Sequence, residues 1–180
     1  MNGPDPAYSR IYQPYDIAEQ SFDPDLELAY RLQHGQPGDA ELQHLLINRF
    51  VKEIYRFIMG WFELGWGKPV EPVANKQLLF VVFKDAIAHI EQFRGEESVR
   101  NWLYRIAVRK LVSSRRGKLY RENSYANEEH SILKWVFALP RHARIILWLR
   151  YGMGFNSPEI AVILDESANK IQKNLIKSRS

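Results

Sequence analysis

The stretch FRGEESVRNWLYRIAVRKLVSSRR, residues 93–116, decides the fold because it joins an apolar helical stripe to a dense set of basic side chains. Its apolar residues recur at spacings of one, three and four, as on one face of a helix: Trp102, Leu103, Ile106 and Ala107. Arginines lie largely off this stripe: Arg105, Arg109, Arg115 and Arg116. The pattern predicts a helix, capped by Ser98 and running to Arg116, that packs with one face and leaves a basic face outward.

The basic charge of this region points to nucleic acid. Residues 94–121 hold nine Lys or Arg against Glu96 and Glu97, an excess of seven positive charges (nine minus two). Trp102 and Tyr104 add rings on which unpaired bases can stack, at about 1–3 kcal/mol per base. Two alternatives stay open: an ordinary basic surface helix, and a core position for Trp102.

Composition limits the class of protein. The 180 residues carry a formal net charge of +4 and contain no Cys, which excludes disulfides and thiolate zinc sites. No apolar run approaches the ~18 residues that span a bilayer, and no signal-peptide pattern opens the chain, so we expect a cytosolic protein without membrane contact. Residues 1–41 hold eight Asp or Glu and two Arg, whereas residues 168–180 hold four Lys or Arg and no acid. The two ends are expected to face different partners.

The N-terminal half has a helical pattern after a Pro-rich tail at residues 1–24. A short amphipathic helix begins at Asp25 and ends at Gly35, and Asp39 is the predicted N-cap of a longer helix. Apolar residues of that longer helix recur at helical spacing: Leu42, Leu45, Leu46, Phe50, Ile54, Phe57 and Ile58. This half is therefore predicted to form a helical core.

Residues 60–76 interrupt the helical pattern with Gly and Pro. Within them, Trp61, Phe62 and Trp66 are expected to cap the bundle, with an exposed aromatic patch as the alternative. Residues 77–92 follow as a predicted helix, although the six consecutive apolar residues from Leu78 to Phe83 also suit a strand. The total length of the segment favours the helix.

The C-terminal half reads as a helix-turn-helix. Residues 117–130 are a polar linker, and Pro140 is predicted at the first position of a helix that ends at Gly152. Its expected buried residues are Ile145, Ile146, Trp148 and Leu149. Ser157 is the predicted N-cap of the next helix, followed by Pro158 and Glu159, and Ile160, Ala161 and Leu164 are expected to pack inward. A turn at Asp165 and Glu166 leads to a last helix capped by Ser167.

This last helix has the pattern of a DNA-recognition helix. Ile171 and Leu175 are expected to face inward, with Lys170, Lys173, Asn174 and Lys177 on the opposite side. Lysines would contact phosphates, and Gln172 or Asn174 could read base edges. A solvated basic helix is the alternative.

Two segments resemble one family. FRGEESVRNWLYRIA, residues 93–107, is similar to the promoter-melting segment of σ70-type transcription initiation factors of the extracytoplasmic-function (ECF) group, and residues 139–180 resemble the helix-turn-helix domain of that group. The resemblance covers roughly residues 25–179. It implies an all-α fold of two small helical domains, a σ2-like bundle at 25–116 and a σ4-like helix-turn-helix domain at 131–180, joined by a flexible linker.

The resemblance also implies partners. They are core RNA polymerase, through the coiled coil of its largest subunit and its flap, and promoter DNA. In the family the polymerase-binding helix has a pattern like Asp-Leu-Val-Gln-Glu-Val-Phe. This chain has QLLFVVF at residues 77–83, with Phe80 and Val81 at the Gln and Glu positions. The implied polymerase-binding residues are Gln77, Phe80, Val81 and Lys84.

The implied DNA-binding residues form two sets. Those for the melted minus-ten element are Arg94, Arg100, Trp102, Tyr104, Arg105, Arg109 and Arg116. Those for the minus-35 element are Ser167, Asn169, Lys170, Gln172, Lys173, Asn174 and Lys177. The family often has Asn and Asp where this chain has Arg109 and Ser113, so a base preference at minus ten is not carried over.

Enzyme chemistry has little support in the sequence. Glu41 and His44 match half of a di-iron Glu-x-x-His motif, but without a second copy a surface pair is the simpler interpretation. We therefore expect no cofactor, no metal and no catalytic residue. The favoured function is an ECF-type sigma factor that directs promoter recognition, melting and initiation. The alternative is a σ-derived DNA-binding adaptor or regulator that lacks autonomous initiation and needs an accessory recruiting protein. An anti-σ protein is a further candidate partner.

Overall fold

A computed structural model describes residues 23–35, 39–62, 72–113 and 139–177, and the regular secondary structure within these ranges is helical. The helices are α1 (Pro24–His34), α2 (Ala40–Trp61), α3 (Pro72–Ala88), α4 (Val99–Ser113), α5 (Arg141–Leu147), α6 (Ser157–Leu164) and α7 (Ala168–Lys177). A 3₁₀ turn (Ile90–Gln92) follows α3, and a π-helical turn (Trp148–Gly152) follows α5. The predicted all-α fold is confirmed. The predicted tail, linker, Trp66 and Arg116 lie outside the described residues, apart from the last two residues of the tail.

Helix α2 begins where the sequence predicts. The Asp39 side chain caps it by accepting a hydrogen bond from the Leu42 backbone N–H (3.3 Å). Its stripe is buried as expected, with one exception: Leu45 is half exposed, so its assignment to the core was wrong. Trp61 and Phe62 are buried at the end of α2, which confirms that they cap the bundle.

Helix α3 starts earlier than expected. It begins at Pro72, five residues before the predicted start at Gln77, because Pro suits the first turn of a helix, where its missing N–H breaks no bond. The strand alternative for residues 78–83 is wrong. Val82, Phe83 and Ala86 are its buried apolar residues, and the polar Asn75 is buried near its start.

Helix α4 follows a turn at Gly95. The Ser98 hydroxyl accepts a hydrogen bond from the Asn101 N–H (3.1 Å), as an N-cap does, which agrees with the predicted start. The predicted stripe is buried, and Trp102 is among its residues. Its ring packs against Phe93 at a centroid distance of 5.4 Å. In this structure Trp102 therefore occupies the core position that the sequence left open.

Two helix starts in the C-terminal half differ from expectation by one residue. Pro140 occupies the N-cap of α5 rather than its first position. Asn156, not Ser157, caps α6: its side chain accepts from the Glu159 N–H (2.9 Å), and Glu159 accepts from the Asn156 N–H (2.7 Å). This reciprocal pair satisfies two backbone donors and outcompetes a cap by the Ser157 hydroxyl.

A short turn at residues 165–167 joins α6 to α7. Asp165 adopts the left-handed conformation (φ 56°, ψ 51°), as expected for a turn without Gly. The Ser167 hydroxyl accepts from the Lys170 N–H (3.4 Å) at the start of α7. Ile171 and Leu175 are buried, so the predicted inner face of α7 is confirmed.

The two halves share one continuous apolar core. Helix α6 packs on α4, and the Trp148 indole lies so close to Gly60 that a methyl group there would overlap it. Arg141 lies over the Trp61 ring, 5.6 Å from its centroid. The C-terminal half thus covers one side of the N-terminal bundle. Within the described residues, no helix combines the length and apolarity needed to cross a bilayer.

Candidate nucleic-acid interface

The outward face of α3 is apolar at its centre and polar at its edges. Phe80 is 66% exposed and Val81 is 41% exposed, whereas Val82 on the opposite side is fully buried. Gln77 and Lys84, also exposed, lie one turn to either side. The structure therefore brings the four predicted polymerase-binding residues together on one accessible face. The two large apolar side chains at its centre, Phe80 and Val81, remain exposed to solvent and do not pack in the protein core.

The predicted minus-ten residues fall into an accessible and an engaged group. Arg94, in the turn before α4, and Arg109, on α4, are exposed. Arg105 is half-buried and forms an ion pair with Glu97. Burial lowers the pKa of Arg105, the neighbouring Arg109 lowers it further, and Asp165 acts in the opposite direction. The positive charge of Arg105 is thus already paired with the carboxylate of Glu97 within the fold.

A groove lies beside the accessible group, where the C-terminal parts of α3 and α4 meet. Its volume is about 710 Å³, and its walls include Trp102, Ile106, Arg109 and Val112. Asp85 on one wall pairs with Lys110 on the other (2.7 Å), so this lysine is also engaged. The exposed Val112 and Arg109 in this open groove suit an unpaired base with its phosphate, whereas the buried Trp102 ring, 7% exposed, leaves little surface for stacking.

Arg100 joins α4 to the C-terminal half. Its guanidinium Nε donates to Glu53 Oε1 (2.5 Å), and its Nη2 donates to the Met153 carbonyl (3.1 Å). The same group lies 3.9 Å from the centroid of the Phe155 ring. Two nitrogens of its guanidinium are therefore already bonded within the protein in this arrangement.

Tyr104 is engaged at the same place. Its hydroxyl donates to Glu53 (3.2 Å), and its ring meets Phe155 edge to face at 4.6 Å. Burial raises the pKa of Tyr104 above its ordinary value, and the Glu53 carboxylate raises it further. Glu53 and Phe155 organise this region, yet the sequence analysis missed both. Their role depends on a contact between residues about 50 or 100 positions apart, which no local pattern encodes.

Helix α7 presents a mixed outward face. Asn169, Lys173 and Lys177 are exposed, and Lys170 pairs with Glu166 at 2.9 Å. Glu166 Oε1 also lies within hydrogen-bond distance of His142 Nε2 (2.9 Å), and this contact connects the turn to α5.

The two amides predicted to read bases on α7 differ in orientation. The Ser157 hydroxyl donates to Gln172 Oε1 (3.1 Å), so Gln172 is held to the preceding helix while its amide nitrogen stays available. Asn174 is only half exposed, and its amide nitrogen donates to the Lys170 carbonyl of its own helix (2.9 Å). Gln172 is the better placed of the two. Ile176 is 61% exposed and was not predicted as a surface residue.

The half-motif Glu41 and His44 lies on an exposed part of α2. Among the residues that the structure describes, no group of three or more His, Asp or Glu side chains could hold a metal ion.

Comparison with solved structures supports the all-helical fold. The chain is similar to the structure of CnrH in complex with the cytosolic domain of CnrY, with a TM-score of 0.64 at 20% sequence identity. The alignment covers 87% of this chain and 93% of that one. At this identity the likeness establishes the fold alone. No family model matches the chain, and no curated protein matches it.

Proposed function

We propose that this chain is an ECF-type sigma factor that binds core RNA polymerase and directs promoter recognition, melting and initiation. The observation that carries the proposal is the accessible apolar centre of α3, formed by Phe80 and Val81 within a sigma-like fold. A helix that exposes large apolar groups beside polar ones is a typical protein-docking surface. In this fold the corresponding helix is the one that the family resemblance assigns to the coiled coil of the largest polymerase subunit.

For the minus-ten element, we assign the groove beside Trp102 and the exposed Arg94 and Arg109 to melted DNA. Met153 and Phe155 of the C-terminal half cover Arg100 and Tyr104, so these two residues join this surface only when that half moves away from α4 and they also leave Glu53 of α2. The proposed activity therefore includes a change in the relative position of the two halves on binding polymerase.

For the minus-35 element, we assign the outward face of α7. Lys173 and Lys177 would contact phosphates, and Gln172 would read a base edge in the major groove. The left-handed conformation of Asp165 supports this assignment because α6 ends at Leu164 and α7 begins at Ala168, a break as short as that of a helix-turn-helix. The chain itself would carry out no chemistry, since nucleotide addition belongs to the polymerase.

A regulatory partner is part of the proposal. The structural neighbour CnrH is found in complex with the cytosolic domain of CnrY. We propose that this chain, too, is held by a protein partner that favours the closed packing of its two halves.

The second candidate is a σ-derived DNA-binding adaptor without autonomous initiation. The engagement of Arg100 and Tyr104 favours it, because a chain that stays closed cannot offer them to melted DNA. The apolar character of the α3 face is compatible with this candidate as well, as an accessory protein could dock there in place of polymerase.

Co-purification with core polymerase, followed by run-off transcription, tests the proposal. Phe80→Asp should weaken polymerase association about 30-fold or more, because a buried aromatic anchor is worth at least about 2 kcal/mol. Leu45→Asp, at another half-exposed apolar position on the N-terminal bundle, is the matched control and should associate and transcribe like the parent. Both variants should keep parental helicity and melting temperature.

Each outcome separates the candidates. Polymerase binding by the parent with specific run-off transcripts supports the sigma factor. Promoter binding without transcripts, restored by an added cellular protein, supports the adaptor. Unchanged polymerase affinity of Phe80→Asp would remove α3 from the interface.

A further inference from the structure

Ile176 is a large apolar side chain on a face of α7 that is otherwise polar or basic. It is 61% exposed, and it follows Gln172 by four residues, Lys173 by three and Asn169 by seven. Residues at these spacings share one side of a helix. The buried residues Ile171 and Leu175 face away from this side. Ile176 therefore lies among the residues proposed to meet the major groove.

The hydrogen bond of Gln172 indicates which polar group this side chain presents on the face that it shares with Ile176. The Ser157 hydroxyl donates to Gln172 Oε1, which uses one lone pair of the amide oxygen and directs the amide nitrogen outward as a donor. One helical turn further on, the side chain of Ile176 is aliphatic and can neither donate nor accept a hydrogen bond. The face thus presents a donor next to an apolar group.

Duplex DNA has one apolar feature in the major groove, the C5 methyl group of thymine. An aliphatic side chain beside a hydrogen-bond donor matches a thymine methyl next to a base with an acceptor edge. We propose that Ile176 is a specificity-determining residue that reads a thymine methyl in the minus-35 duplex, next to the base contacted by Gln172. The inference rests on the proposed promoter recognition by α7 and adds a named base feature to it.

Exposure alone would not single out Ile176, since isolated apolar residues are common on protein surfaces. Ile176 is singled out because it lies on the same side of α7 as Gln172. Val162 (38% exposed) and Tyr151 (60% exposed) belong to the same half but lie outside α7, so they do not share the face of Gln172. Val162 serves as the matched control for this reason.

Removal of single methyl groups from the DNA tests the proposal. The full chain, assembled with core polymerase from its own cell, selects its minus-35 sequence from a randomised duplex pool. Each thymine of the selected duplex is then replaced by uracil, which lacks only the C5 methyl. At one position this change should weaken binding about fourfold, the value for burial of one carbon group. Ile176→Ala should abolish that sensitivity, whereas Val162→Ala should keep it.

The outcomes also separate this inference from the proposed function. If uracil weakens binding of the parent and of Ile176→Ala equally at every thymine, or if no thymine is sensitive in the parent, Ile176 does not read a methyl, while promoter recognition by α7 stands. If the assembled complex selects no minus-35 sequence, both proposals fail. Folding of Ile176→Ala is checked by its melting temperature, which should match the parent because the side chain is exposed.

Discussion

The outward face of α3 and the basic face of α4 were both predicted to meet large partners, yet the structure treats them in opposite ways. On α3, Phe80 and Val81 are exposed and have no role in the core. On α4, Arg100 and Tyr104 are bound to Glu53 and packed against Phe155. A surface of the first kind is accessible without any rearrangement of the fold. A surface of the second kind has to be uncovered, and the contacts that cover it set the free energy of doing so.

The largest expected effect compares two phenylalanines, one from each kind of surface. Phe155 is fully buried, so Phe155→Ala should lower the free energy of unfolding by about 3–5 kcal/mol. Phe80→Ala removes an exposed ring and should change it by less than about 0.5 kcal/mol. Urea unfolding followed by circular dichroism measures both. Similar losses in the two variants would contradict the distinction between the accessible and the covered surface.

The next prediction concerns the closest approach of the two halves. Gly60→Ala places a methyl group into the Trp148 indole and should destabilise the closed packing by about 1–3 kcal/mol. In a helix without such a neighbour the same change would stabilise by up to about 1 kcal/mol, so the sign of the effect is diagnostic.

Because the natural chain contains no Cys, labels can be attached to cysteines introduced at the exposed positions Lys52 and Val162, one in each half. The distance between the labels should lengthen in Gly60→Ala. Asn48→Ala, at an exposed position on the same helix, is the control and should leave both distance and stability unchanged. A more stable Gly60→Ala with an unchanged distance would show that Trp148 does not hold the halves together.

The smallest effect is a pH dependence at the covered surface. Burial, helped by Glu53, raises the pKa of Tyr104 in the folded chain, so folding favours the neutral phenol. Its stabilising contribution is fully present below the unfolded pKa of about 10 and declines as pH rises above it. At pH 11 the parent should have lost about 1.4 kcal/mol more than Tyr104→Phe relative to pH 8.

Denaturant titrations at the two pH values measure this difference. Tyr151→Phe changes an exposed ring and serves as the matched control, which should follow the parent. Parallel losses in the parent and Tyr104→Phe would mean that the hydroxyl reaches water and that the cover over α4 is loose.

Local patterns predicted the elements of the fold well. The spacing of apolar residues fixed the helices, and caps such as Asp39 and the left-handed turn at Asp165 followed from side-chain chemistry within a few residues. Boundaries shifted where two caps competed, as at Asn156 and Ser157, or where Pro72 could begin a helix inside a segment that looked like a loop. Those errors come from choices between nearly equivalent local arrangements.

The candidate site was less predictable, because its state depends on contacts between the halves. The family resemblance named Arg100 as a minus-ten contact, but no local pattern could show that Glu53 and the Met153 carbonyl accept hydrogen bonds from its guanidinium. Leu45 was predicted to lie in the core by its spacing, and it is half exposed. Which face of a helix stays open is decided by the packing of whole helices.

Trp148 gives the closed packing an optical signature. Its indole is half-buried between Gly60 and Gly152, and its Nε1–H, buried, has no hydrogen-bond partner among the described residues. An indole in such apolar surroundings emits at shorter wavelength than one in water. Departure of the C-terminal half from Gly60 would bring water to that N–H and shift the emission to the red. The native chain thus carries its own fluorescent gauge of opening, readable on addition of polymerase or promoter without any label, with Trp148→Phe as the blank.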